Sequence, residues 1–291
     1  MNFSMMTVSF PIDEETYNEI KALCEESRIG DGVYYQTVLN LPVARDYTAL
    51  GFFVLVYDDE AEKLVGVASA IDLMGLNTYE WSMLVAPMYR QIGIGGALLN
   101  VLRDGLEARG AEGELALAVQ GETFGRAYLE SRNYSYSFSE ATLEAKAEEI
   151  RLRENLIMRP FQVMDTESLV AIFSEAFGDL REESLELIQF NSTTEGLQLW
   201  VADMDGKVVG TVTSRKEGDS QWVTALAVHP NMEGQGIGTA LLNWVKHIAF
   251  QGGEKMVMLE VEIENERALS LYKRAGFLKS MQIDYFVYGG R

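Results

Sequence analysis

Cysteine is nearly absent from this 291-residue sequence: Cys24 stands alone, so no internal disulfide can form. A reducing, cytoplasmic setting is the expectation that follows. With one cysteine and two histidines the chain is also short of the ligands from which zinc sites are built, and no carboxylate spacing points to a metal. No run of about 18 apolar residues occurs, so a membrane-spanning helix is not expected. The opening Met1-Asn2-Phe3-Ser4-Met5-Met6 has no basic start before an apolar run, and Asp13, Glu14 and Glu15 soon follow; a secretory signal is not expected either. Positive charge is scarce as well. Lys and Arg number 24 against 44 Asp and Glu, a net charge of −20. Such a chain repels nucleic-acid phosphate and anionic bilayers, so neither is expected as a partner. Cationic substrates such as amines would be attracted.

What the sequence does contain is a repeat. Val85-Ala86-Pro87-Met88-Tyr89-Arg90-Gln91-Ile92-Gly93-Ile94-Gly95 returns 143 residues later as Val228-His229-Pro230-Asn231-Met232-Glu233-Gly234-Gln235-Gly236-Ile237-Gly238. The match continues through Ala97-Leu98-Leu99-Asn100 and Ala240-Leu241-Leu242-Asn243, and upstream Leu64-Val65-Gly66 answers Val208-Val209-Gly210 with a one-residue slip. Two copies are too few for a solenoid, and each is long enough to own a core. They predict two similar domains joined at a charged stretch near residues 149–154.

The second copy reads as alternating strands and helices. A short strand over 156–160 ends at a proline, and Asp165 or Thr166 could cap a helix through Leu169, Ile172, Phe173 and Phe177. Strands over 199–202 and 207–212 pair around an Asp205-Gly206 turn. A strand over 222–228 meets a glycine turn that opens a helix with Leu241, Val245 and Ile248 on one face. A strand over 256–263, a helix with Ala268, Leu271 and Tyr272, and a closing strand over 283–288 complete a mixed α/β sheet.

The strand–proline–glycine turn–helix unit carries the chemistry. Glycine lets a ligand approach the backbone. The unpaired N–H groups of the turn and the partial positive charge of the helix start then make an anion site suited to a pyrophosphate. A plain tight turn would account for a lone G-x-G, so spacing must decide. No G-x-x-x-x-G-K-[ST] occurs, and the third glycine of the dinucleotide fingerprint is missing in both copies.

The spacing does resemble the GNAT acetyltransferase superfamily, whose signature is V-x-P-x-x-[RQ]-x-x-G-x-[GA]. Val85, Pro87, Arg90, Gly93 and Gly95 match it, as do Val228, Pro230, Gly236 and Gly238. The family's N-x-x-A…LY…GF pattern is met by Asn265, Ala268, Leu271-Tyr272 and Gly276-Phe277. The resemblance covers nearly the whole chain, twice. It implies two tandem acyl-CoA N-acyltransferase domains, residues 1–149 and 154–291, each a mixed, mostly antiparallel central sheet flanked by helices. It also implies acetyl-CoA as co-substrate. The cofactor-binding residues carried over are Val85, Arg90, Gln91, Ile92, Gly93, Ile94, Gly95 and Gly96 in the first copy. In the second they are Ala227, Val228, Gly234, Gln235, Gly236, Ile237, Gly238 and Thr239, with Asn265 orienting the pantetheine arm or capping its helix.

In that family two central parallel strands splay around the thioester. An N–H near Ala227 or Val228 would hold the oxyanion, and Tyr272 would protonate the departing thiolate. Glu260 and Glu262 alternate with Val261, share one strand face, and are the candidate bases that take the amine's proton. Plain solvated carboxylates are the competing account of that pair. No nucleophile–base pair suits a covalent acyl-enzyme, so direct transfer to an amine is expected.

Departures divide the copies. Glu233 stands where the family has arginine or glutamine. Thr224 occupies the position of the frequent family base, and Glu80 lies one residue out of phase with it in the first copy. Leu129 and Glu122 fall at the positions of Tyr272 and Asn265, with Tyr128 turned about 100° aside on its helix. His229 follows its strand as an ordinary loop histidine. The first domain is therefore expected to be catalytically degenerate and the second catalytic. A non-catalytic acyl-CoA sensor is the alternative. A small-molecule or peptide amine is the expected acceptor, held by residues near 29–49 and 178–196, on a monomer or homodimer.

Overall fold

The computed structural model describes residues 2–121 and 124–290. In the first copy β1 (Phe3–Ser9) leads to α1 (Glu14–Asp31) and the single turn α2 (Tyr35–Val38). Three strands follow, β2 (Leu50–Asp58), β3 (Lys63–Asp72) and β4 (Thr78–Val85). Then come α3 (Ile94–Ala108), β5 (Gly113–Val119), α4 (Gly125–Ser131) and β6 (Tyr134–Lys146). The second copy repeats the order: β7 (Ile157–Pro160), α5 (Thr166–Phe177), α6 (Arg181–Thr193), β8 (Leu197–Met204), β9 (Lys207–Glu217) and β10 (Ser220–Val228). It closes with α7 (Ile237–Gly252), β11 (Met256–Glu262), α8 (Glu266–Arg274) and β12 (Leu278–Tyr288). Element answers element, as a duplicated mixed α/β domain requires. Pairing is mostly antiparallel, with β4–β5 and β10–β11 parallel.

Residues 1–139 with 282–291 form one compact unit and residues 140–281 the other. The joint expected at 149–154 thus falls inside the second unit. In the first unit the strand order β1-β2-β3-β4-β5 is closed by residues 283–287 of β12, antiparallel to β5. In the second unit β7-β8-β9-β10-β11 is closed by residues 140–146 of β6, antiparallel to β11. β6 and β12 hold the same place in the repeat, so either can satisfy the same kind of strand edge, as in other exchanges of identical elements.

The two copies start their first long helix differently. The Asp13 side chain accepts the Thr16 N–H at 2.8 Å, an ordinary N-cap for α1. Asp165 sits at the N-cap of α5 without capping it. Its carboxylate instead accepts from Arg159 at 2.7 and 2.8 Å and from the Gln162 N–H at 2.8 Å. Arg159 and that N–H hold the buried carboxyl below the usual carboxylate range against the opposing effect of burial.

One core in each unit lies between the sheet and the helix after the glycine turn; in the second unit another packs α5 and Ile188 of α6 against Leu199 and Val201 of β8. Ile94, Leu98, Leu102 and Leu106 recur every four residues on the buried face of α3. Ile237, Leu241, Val245 and Ala249 do the same on α7; Ile248, expected on that face, is only half-buried. The helices press close to their strands. A Cβ on Gly66 would stand 3.1 Å from Ile94, and one on Gly210 would stand 3.1 Å from Leu241. This close approach explains why Val-Gly recurs in both copies.

Candidate active site

The parallel strands separate partway along their length. β4 and β5 pair from Thr78–Gly113 to Trp81–Ala116, and β10 and β11 from Ser220–Met256 to Val223–Leu259. Beyond those points β4 runs on to Val85 and β10 to Val228, opening a wedge in each unit. β10 also bulges between Val223 and Ala225. Thr224, at the position where the family often has its base, is thus the bulged residue. The backbone direction settles which N–H faces each gap. Ala86 N–H donates to Val65 at 2.9 Å and His229 N–H to Val209 at 3.0 Å, both toward the antiparallel neighbour. Alternation along a strand then sends the N–H groups of Val85 and Val228, not that of Ala227, toward the wedge.

The turns after these strands leave helix donors unpaired. Gly93 and Gly236 are the N-cap residues of α3 and α7, with φ of 97° and 77° and no side-chain cap. The first intrahelical bonds there are made by Ala97 and Ala240. The N–H groups of Ile94, Gly95 and Gly96, and of Ile237, Gly238 and Thr239, therefore have no partner four residues back. Gly234 takes a positive φ of 72°, and its counterpart Gln91 takes 63°.

The first unit holds a cavity of about 510 Å³ at this place. Trp81, Ser82 and Val85 of β4 and Leu117 and Ala118 of β5 form its walls. The turn from Gln91 to Gly96 forms its floor, and Tyr128 and Arg132 face it from α4 and just beyond. Arg90 lines it too, but its guanidinium forks onto both carboxylate oxygens of Asp31, while its Nε donates to the Val85 carbonyl at 2.9 Å. That pairing holds the Asp31 carboxyl below the usual range. In the second unit the corresponding Glu233 is paired with Arg267. A smaller cavity, about 100 Å³, lies beside Gly236, Thr239 and Asn243 and is walled by Arg153 and Met158.

The helices α4 and α8 distinguish the units most. Leu129, at the position of Tyr272, is buried in the core. Tyr128 instead holds the position of Leu271 and donates its hydroxyl to the Gly95 carbonyl at 2.8 Å. Leu271 packs on the second turn so closely that a Cβ on Gly238 would meet it at 2.9 Å. Tyr272 is half-buried, its ring centroid 6.1 Å from that of Phe277. Its hydroxyl makes no hydrogen bond among the described residues, and burial pushes the phenol above its ordinary pKa. Asn265 caps α8, accepting the Ala268 N–H at 3.0 Å. Glu122, its counterpart, lies outside the described residues.

Glu260 and Glu262 share one face of β11, as the alternation predicts. That face is opposite the one on which Val257, Leu259 and Val261 pack into the α7 core, where Tyr272 also packs. Carboxylates and phenol thus stand on opposite faces of the sheet rather than as a cluster. Desolvation, reinforced by Glu140, raises the Glu260 pKa although the side chain keeps solvent exposure. His229 Nδ1 accepts the Asn231 N–H at 3.2 Å, which is a turn contact. Residues 178–196 are largely helical and hold α6, whereas 29–49 carry only the end of α1, the single turn α2 and a short 3-10 turn among irregular backbone. Two arginines beside the turns, Arg132 and Arg153, belong to no motif, and spacing alone gave no signal for them.

Comparison with known proteins agrees with this geometry. The family model described as the Acetyltransferase (GNAT) family matches residues 17–128 and again 166–277. A mycothiol acetyltransferase of Kocuria rhizophila is 28% identical over 89% of this chain and 92% of its own length. A GCN5-related N-acetyltransferase from Sphaerobacter thermophilus superposes with a TM-score of 0.73 at 20% identity, over 97% of this chain and 95% of that one. A tandem GNAT protein from the clavulanic acid biosynthesis pathway superposes with a TM-score of 0.68 at 14% identity, over 99% and 100%. At those identities the two structures speak to fold alone.

Proposed function

The chain belongs to the acetyltransferase (GNAT) family, and from that premise we propose that it moves an acetyl group from acetyl-CoA directly to an amine, with the bond-making step in the second unit. Acetyl-CoA is a substrate here, and the residues present fit it: unpaired turn donors for a diphosphate, and a wedge between strands for the thioester arm. The neutral amine attacks the thioester carbonyl, and the new C–N bond forms as the C–S bond breaks. The Val228 N–H holds the oxyanion. Glu260, its pKa raised, takes the proton from nitrogen, and Tyr272 gives its proton to the leaving sulfur. Base and acid approach the wedge from opposite faces of β11.

The observation that carries this reading is the Tyr272 hydroxyl, which is unbonded among the described residues while its phenol is kept protonated by burial. In the first unit the nearest phenol, Tyr128, is committed to the Gly95 carbonyl, and Leu129 fills the position of the acid. The first unit is therefore read as holding coenzyme A in its larger cavity without turning it over. Its volume also favours a second reading, in which that unit senses acyl-CoA levels. The relatives named mycothiol acetyltransferases put the unacetylated form of mycothiol first among the amines to try.

The test is acetyl transfer to a panel of amines followed with Tyr272→Phe. Turnover by the unaltered chain and an approximately 100-fold lower kcat in the variant are expected, with coenzyme A affinity unchanged. Full activity of Tyr272→Phe across pH would remove the acid and with it the assignment of the second unit.

A further inference from the structure

In both units the motif's own charged position is already spent. Arg90 is neutralised by Asp31, to which it is bonded twice, and Glu233 is an anion paired with Arg267. Neither position offers net positive charge to a phosphate. With a net charge of −20, the protein's own field opposes the approach of an anion, so unpaired turn N–H groups need a local cation beside them. Each turn has one, and neither comes from the motif. A terminal nitrogen of Arg132 stands 3.3 Å from where a Cβ on Gly96 would lie, at the wall of the larger cavity. A terminal nitrogen of Arg153 donates to the Gln235 carbonyl at 2.8 Å and stands 3.7 Å from a Cβ position on Gly236. It walls the smaller cavity together with Thr239 and Asn243.

Neither arginine meets a carboxylate among the described residues, in a chain with 44 of them. Arg132 lies against the Tyr128 ring, 5.3 Å from its centroid. Arg153 spends one donor on a carbonyl and keeps the rest of its fork unbonded among the described residues. A planar guanidinium with spare donors is the side chain suited to phosphate oxygens. We infer that the counter-cation of the bound phosphates is Arg132 at the first turn and Arg153 at the second, replacing the motif position in both units. This rests on the reading that both turns hold coenzyme A. It also resolves the contradiction of Glu233: with Arg267 beside it, that carboxylate no longer opposes the phosphate, and Arg153 supplies the missing charge from the irregular segment between β6 and β7.

Calorimetric titration of coenzyme A into the full chain tests the inference one turn at a time. Arg153→Ala is measured with the first turn disabled by Gly93→Asp, and Arg132→Ala with the second disabled by Gly236→Asp. Both arginines are exposed, so loss of the fold is not expected, and a thermal melt checks it. Each alanine is expected to weaken binding about tenfold and to flatten its dependence on salt. Lysine in the same place should restore part of both, which a purely structural role would not give. Affinity and salt dependence equal to the parent's would overturn the inference, and so would tighter binding, which would mean the arginine blocks the turn. Absence of any binding to the unaltered chain would overturn the reading beneath it as well.

Discussion

The two units have the same order of elements but different side chains around their glycine turns, and in the function proposed above those differences divide the work. The first keeps the intact motif, with Arg90 at its charged position, but its α4 presents Leu129 to the core and ties Tyr128 to a backbone carbonyl. The second has Glu233 at the charged position, yet its α8 presents Tyr272 with its hydroxyl unbonded among the described residues. A helix displaced by one residue in its side-chain register turns a phenol by about 100°. That step separates a hydroxyl left unbonded among the described residues from one that braces a turn. In the proposed reading a good phosphate loop and a good acid are kept in different copies.

The contrast can be broken most directly at the phenols. Tyr128→Phe should leave kcat within about twofold, against the approximately 100-fold loss for Tyr272→Phe, measured as initial rates at saturating acetyl-CoA. Next in size is the contrast of helix starts. Asp165→Asn should cost about 2 kcal/mol, because it removes the buried charge that faces Arg159 and leaves Asp203 as its remaining carboxylate, whereas Asp13→Asn keeps an N-cap acceptor, loses only an exposed charge and should cost far less; urea unfolding reads both. The sign with pH follows from the lowered carboxyl. Asp165 stabilises the fold above the unfolded carboxylate value of about 3.9, and that contribution is lost as pH falls through its lower folded pKa. Asp165→Asn should erase that acid limb.

A third comparison concerns Glu260. As a base it must be ionised, so the rate should rise with pH through its raised pKa, above the ordinary glutamate value of about 4.3. Glu260→Gln should remove that limb from the kcat/KM profile while the amine's own ionisation remains. The smallest effect lies in the turns. Gln91 holds a left-handed backbone where Gly234 does so without a side chain. Gln91→Gly should stabilise, and Gly234→Gln destabilise, by about 0.5–1 kcal/mol, seen as opposite shifts in Tm.

Much of this was legible in the sequence. The repeat, the β10–turn–α7 unit, the Asp205-Gly206 hairpin turn and the strand carrying Glu260 and Glu262 all depend on local spacing, and the structure places them where spacing put them. Other features depend on contacts that spacing does not encode. The exchange of β6 and β12 was hidden because equivalent strands of a repeat carry equivalent patterns. Asp165 read as a cap because its sequence context is that of a cap, and only the neighbouring Arg159 draws it away. Arg132 and Arg153 lie at a helix end and in an irregular segment, where no periodicity marks a side chain as facing a site. Glu233 read as an obstacle because Arg267, 34 residues on, could not be seen to pair with it.

The measurement that bears most directly on the division of labour is the initial rate of acetyl transfer in Gly236→Asp beside Gly93→Asp. Each variant places a carboxylate at one phosphate turn, and at Gly236 it would also capture Arg153. The account predicts that Gly236→Asp lowers kcat/KM for acetyl-CoA by about tenfold or more, while Gly93→Asp leaves kcat near that of the unaltered chain and removes one coenzyme A binding event. Loss of transfer in Gly93→Asp with retention in Gly236→Asp would contradict it and move the chemistry to the first unit.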